Sequence, residues 1–76
     1  MDASIRKRSV VVAGHATSVT LEEAFWAALK RIAESRGQPV GRLIEEIDGR
    51  RSGNLSSAIR VFVLETVSAG APSGPP

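Results

Sequence analysis

"HATSVTLEEAFWAAL", residues 15–29, changes its hydrophobic period halfway through. Val19 and Leu21 alternate with Ser18 and Thr20, the two-residue repeat of a strand with one buried face, and Phe25, Leu29 and Ile32 then recur at helical spacing. A strand that runs straight into a helix needs a partner, because a lone strand leaves a row of backbone donors and acceptors unpaired. Two partners are available. Residues 10–12 are a β-branched triplet ahead of the breaker pair Ala13-Gly14, and they either form a hairpin with residues 17–19 around Gly14 or run extended straight into them. The other partner is the same strand of a second copy, laid antiparallel by a two-fold axis. The residues by themselves leave this choice open.

Length narrows the problem. A chain of 76 residues makes one small domain, and a domain of this size buries only about 60% of its unfolded surface, so it needs a further source of stability. With no cysteine and His15 as the only histidine, neither a disulfide nor a zinc site supplies it, which leaves oligomerisation. No apolar run approaches the roughly 18 residues of a membrane span. The opening "MDASIRKRSVVVAGHA" puts basic residues ahead of an apolar run, but "VVVA" is too short for a signal peptide, so the expected location is the cytoplasm. A net charge of +2 permits a nucleic-acid partner without demanding one. Glu45, Glu46 and Asp48 are accompanied by no nucleophile and no metal cluster, so neither catalysis nor a cofactor is expected.

Punctuation along the chain predicts a mobile basic arm over residues 1–9, a domain over 10–68 and a disordered Pro/Gly tail over 69–76. Within the domain we expect a strand over 16–21 and helices over 22–36, 39–48 and 55–67. Glu22 and Glu23 suit the positive end of the first helix dipole, Thr20 and Glu23 fit a capping box, and Gly37 suits a left-handed C-terminal cap. Pro39 marks the first position of the second helix, Leu43, Ile44 and Ile47 its inner face, and Asp48-Gly49 its stop. Asn54 or Ser56 caps the third helix. That helix is apolar nearly all round, which in so small a chain implies burial against a second subunit. The expected dimer core is Val19, Leu21, Phe25, Leu29, Ile44, Ile59, Phe62 and Val63, with Trp26 packed in the same interface.

The order strand, "LEEAFWAALKRIAESRG", then "QPVGRLIEEID" resembles the ribbon-helix-helix (MetJ/Arc-like) superfamily of bacterial DNA-binding proteins. More narrowly, "GHATSVTLEEAFWAALKRIA", "LIEEID" and "GNLSSAIRVFVL" are similar to a group of small bacterial members of largely unassigned role. The resemblance implies a mainly α fold with a short β-ribbon. Its two strands come from two chains of an intertwined homodimer, and an additional C-terminal helix follows. It implies base contacts from the outward strand residues Ala16, Ser18 and Thr20, and a phosphate clamp from the start of the second helix at Val40, Gly41 and Arg42. Free amides and the dipole at a helix N-terminus suit such an anion site. Arg6, Lys7 and Arg8 are expected to meet further phosphates. Two features depart from the family pattern: Ala16 stands where members often carry a long polar side chain, and the second helix breaks at Gly49. The expected function is a homodimeric transcriptional regulator on double-stranded DNA. The alternatives on the same dimer fold are a protein-interaction or assembly module and an antitoxin that grips its toxin through the third helix or tail.

Overall fold

The computed structural model describes residues 4–50 and 53–70. Two strands, β1 (Ile5–Val12) and β2 (His15–Glu22), precede three helices, α1 (Glu23–Ser35), α2 (Val40–Arg50) and α3 (Leu55–Gly70).

The ribbon is a hairpin within one chain. β1 and β2 pair antiparallel, from Val12 opposite His15 at the turn to Ile5 opposite Glu22. The expectation of a ribbon shared between two chains is thereby corrected, and residues 5–9, expected in a mobile arm, lie in β1. The physical reason is the turn. Ala13 and Gly14 both have positive φ, at 52° and 83°, as in the two-residue turn whose twist matches that of its flanking strands. So short a loop adds little closure entropy, and it sets Val12 into the core beside Val19 and Leu21. Gly14 takes its φ freely, whereas Ala13 does so at a steric cost. Ala13→Asn should therefore raise the melting temperature by a few degrees, since asparagine tolerates this region better; an unchanged or lower melt would contradict the turn.

The second edge of β2 is met by α3. Thr20 N–H donates to Ser56 Oγ at 3.0 Å, and Arg60 Nη2 donates to the Thr20 carbonyl at 3.0 Å. At this point a second chain has no free backbone to pair with.

Beneath the hairpin, Val12, Val19 and Leu21 pack on Leu29, Ile32 and Ala33 of α1, Leu43, Ile44 and Ile47 of α2, and Leu55, Ile59 and Val63 of α3. Most residues expected in a dimer core, namely Val19, Leu21, Leu29, Ile44, Ile59 and Val63, are thus buried by the chain itself, and Phe25 and Phe62 are half-buried against them. α3 is not surrounded. Val61, Leu64 and Val67 stay 53%, 60% and 49% exposed on its outer side.

Helix ends differ from expectation where tertiary bonds replace local ones. The first amide of α1, Glu23 N–H, donates to the Ser4 carbonyl at 2.7 Å, so the strand ladder satisfies it and Thr20 remains in β2 instead of capping. At the other end Gly37, with φ 68°, donates to Glu34, and Gln38 donates to Ala33, two bonds that close the helix as its glycine predicts. Pro39 directly precedes α2, and its carbonyl accepts from Arg42 and Leu43. Gly49 does not stop α2, which runs to Arg50; a glycine inside a helix costs about 1 kcal/mol relative to alanine, which the buried Leu43, Ile44 and Ile47 outweigh. Asn54 caps α3 by accepting from Ser57 N–H at 2.8 Å, which leaves Ser56 for Thr20. Ala69 and Gly70, expected in the tail, belong to α3, while residues 71–76 and Arg51 lie outside the described residues.

Candidate nucleic-acid interface

Pairing register decides which side chains share a face. Residues opposite one another in an antiparallel ladder point to the same side, so Lys7 stands beside Thr20, Ser9 beside Ser18 and Val11 beside Ala16. All six are exposed, on the face opposite the core. Ala16, Ser18 and Thr20 therefore form one outward column, as expected, and Lys7, Ser9 and Val11 form a second. Sequence reasoning missed this second column because it treated residues 5–9 as an arm. The signal was there: "KRSVV" alternates Lys7, Ser9 and Val11 with Arg8 and Val10.

The three basic residues expected on phosphate separate. Arg8 turns inward, where Nη1 and Nη2 donate to the two carboxylate oxygens of Glu23 at 3.1 and 3.2 Å. Its guanidinium lies 4.7 Å from the centre of the Trp26 ring, a cation–π geometry. Trp26 thus packs beneath its own hairpin. Arg6 Nε meets the same Glu23 at 3.1 Å, although its side chain is 69% exposed against 28% for Arg8. Lys7 alone of the three faces outward with Ser18 and Thr20.

A further ion pair ties α3 to the ribbon. Arg60 Nε donates to Glu22 Oε1 at 2.8 Å. This bond, together with one from the backbone of Glu22 itself, holds the Glu22 carboxyl below the usual carboxylate range. A carboxylate whose pKa is lower folded than unfolded stabilises fully above its unfolded value, and that contribution is lost as pH falls through the folded one. Wild type should accordingly exceed Glu22→Gln in denaturant midpoint at neutral pH, and the two should converge in strong acid. A gap that persists unchanged at low pH would contradict the pairing.

At the start of α2, Arg42 N–H is already bonded to the Pro39 carbonyl at 3.1 Å, so the expected clamp reduces to the Val40 and Gly41 amides and the exposed Arg42 side chain. A Cβ on Gly41 would meet nothing within 4 Å, so internal packing does not require glycine there. No helix among the described residues is long and apolar enough to cross a membrane.

The family model for the ribbon-helix-helix domain matches residues 5–67. The chain belongs to the ribbon-helix-helix domain family. The match begins at the first residue of β1 and ends inside α3, so the first strand and the third helix both fall within this ribbon-helix-helix domain. Members of the family are typically DNA-binding proteins and not enzymes. The solved structure of an uncharacterized protein from Bordetella pertussis Tohama I is similar to the chain at 33% identity and a TM-score of 0.74. The match covers 95% of this chain and 66% of that one, so this ribbon-helix-helix domain spans about two thirds of that protein's length. No curated protein matches the chain.

Proposed function

We propose that this ribbon-helix-helix domain is a sequence-specific DNA-binding protein, a homodimeric transcriptional regulator that inserts its ribbon into the major groove. The observation that carries the reading is the exposed column Ala16, Ser18 and Thr20 on a ribbon only two strands wide. Strands lie about 4.8 Å apart and the major groove is about 12 Å wide, and short hydroxyl side chains bond to base edges there. The Val40 and Gly41 amides with the Arg42 side chain would hold a backbone phosphate. The outer side of α3, with Val61, Leu64 and Val67 exposed, supports a second copy as the other half of the regulator.

A second reading, an interaction module that has kept the fold without base reading, is favoured by one observation: Arg6 and Arg8 are both engaged with Glu23, which reduces the charge free for phosphate. Binding to random-sequence duplex DNA at two salt concentrations, followed by selection from the same pool, separates the two. The regulator binds with an affinity that falls as salt rises and enriches a defined sequence; the module enriches none.

A further inference from the structure

We propose that Lys7 and Ser9 of β1 read bases together with Ser18 and Thr20 of β2, so that a single chain carries both strands of the reading face. The proposal rests on the DNA-binding reading and deepens it. A ribbon shared by two chains would bring each outward residue to the groove twice, once per chain, on like strands. The hairpin brings two unlike strands from one chain, and the face they make is asymmetric.

The geometry is set by register. Thr20 turns its N–H and carbonyl away from β1, toward Ser56 and Arg60. Lys7 and Thr20 are therefore a non-hydrogen-bonded pair, and the two-residue alternation makes Ser9 and Ser18 one as well. Side chains approach most closely in such pairs, so the face presents two adjacent polar rungs, an ammonium beside a hydroxyl and then two hydroxyls. Val11 beside Ala16 adds a third rung with no polar group. All four polar side chains are exposed, and among the described residues Lys7 enters no ion pair.

Chemistry then names the base. A lysine in the major groove donates to the O6 and N7 acceptors of guanine, while serine and threonine bond to several bases. The rung carrying Lys7 should face guanine and supply most of the discrimination. Rigidity favours this role: Arg8 braces β1 from beneath through Glu23 and Trp26, and Ser56 and Arg60 hold β2 at Thr20. A backbone held in this way loses less entropy on docking.

The test uses the full chain and the duplex that wild type selects, beside the same duplex with its most strongly required guanine replaced by adenine. Lys7→Ala should lose roughly 5- to 150-fold in affinity for the selected duplex, the worth of one base contact, and should no longer distinguish the two duplexes. Ser9→Ala should lose affinity for the selected duplex as well. Lys7→Arg should keep the discrimination, and Arg6→Ala, on the other face, should leave it unchanged. Circular dichroism of each variant guards against misfolding. If Lys7→Ala and Ser9→Ala keep wild-type discrimination while Ser18→Ala and Thr20→Ala lose it, β2 reads alone and the proposal falls while DNA binding stands. If wild type selects no sequence, the DNA-binding reading and this proposal fall together.

Discussion

Ile59→Asp should leave no folded protein. Ile59 is fully buried where α3 meets the rest of the core, and among the described residues no polar or charged side chain is buried. A carboxylate introduced there has no partner, and burying one costs several kcal/mol, comparable with the whole stability of a small domain. Loss of the helical circular dichroism signal and of the cooperative melt is the expected result. Leu64→Asp, on the same helix but 60% exposed, should fold, and on the homodimer reading it should lower the mass in solution. Phe62→Asp should be milder than Ile59→Asp, because Phe62 is only half-buried, with the Arg36 guanidinium 5.2 Å from its ring centre. If Ile59→Asp kept native helicity and melting, α3 would not be docked as described.

Replacing Ser18 and Thr20 together by alanine should weaken preference for a selected site, leaving the part that Lys7 and Ser9 supply. Neither side chain reaches the core, and the bonds that hold β2 to α3 at Thr20 use its backbone, so fold and melting temperature should hold. Each lost base contact costs on the order of 1–3 kcal/mol. The double variant should consequently fall toward non-specific affinity, with its salt dependence retained, because the phosphate clamp proposed at Val40, Gly41 and Arg42 is untouched. Ala16→Arg should raise overall affinity by adding a phosphate-seeking charge to the same column. Wild-type affinity and preference in the double variant would remove β2 from the interface.

Much of this architecture was legible because it is periodic. Val19 and Leu21 announced a strand with one buried face, and Gly37 and Asn54 marked helix ends that the hydrogen bonds now explain. Hydrophobic spacing also picked out the buried residues. It could not say which chain buries them, since a core residue looks the same in sequence whether its neighbour is its own hairpin or a second copy. Only the first part of β1, residues 5–9, reads as an arm, because Arg6, Lys7 and Arg8 mask its alternation. The partners that make an inward arginine tolerable, Glu23 and Trp26, lie 15 and 18 residues after Arg8, beyond the reach of local patterns. Thr20 failed as a cap for the same reason: the Glu23 amide it would have met is taken by the Ser4 carbonyl, from the residue just ahead of β1.

The central claim, that the ribbon proposed to read DNA is a hairpin within one chain, is tested most directly by a disulfide across it. Val11 and Ala16 form a non-hydrogen-bonded pair on the outward face, and Cα atoms in such pairs stand about 4.5 Å apart, within the range of a disulfide. The chain has no other cysteine to interfere. Val11→Cys combined with Ala16→Cys should oxidise to a species that runs as one chain under denaturing, non-reducing conditions and still binds the selected duplex, because the rungs of Lys7, Ser9, Ser18 and Thr20 are untouched. A disulfide-linked pair of chains, or a locked single chain that binds the duplex only after reduction, would contradict it.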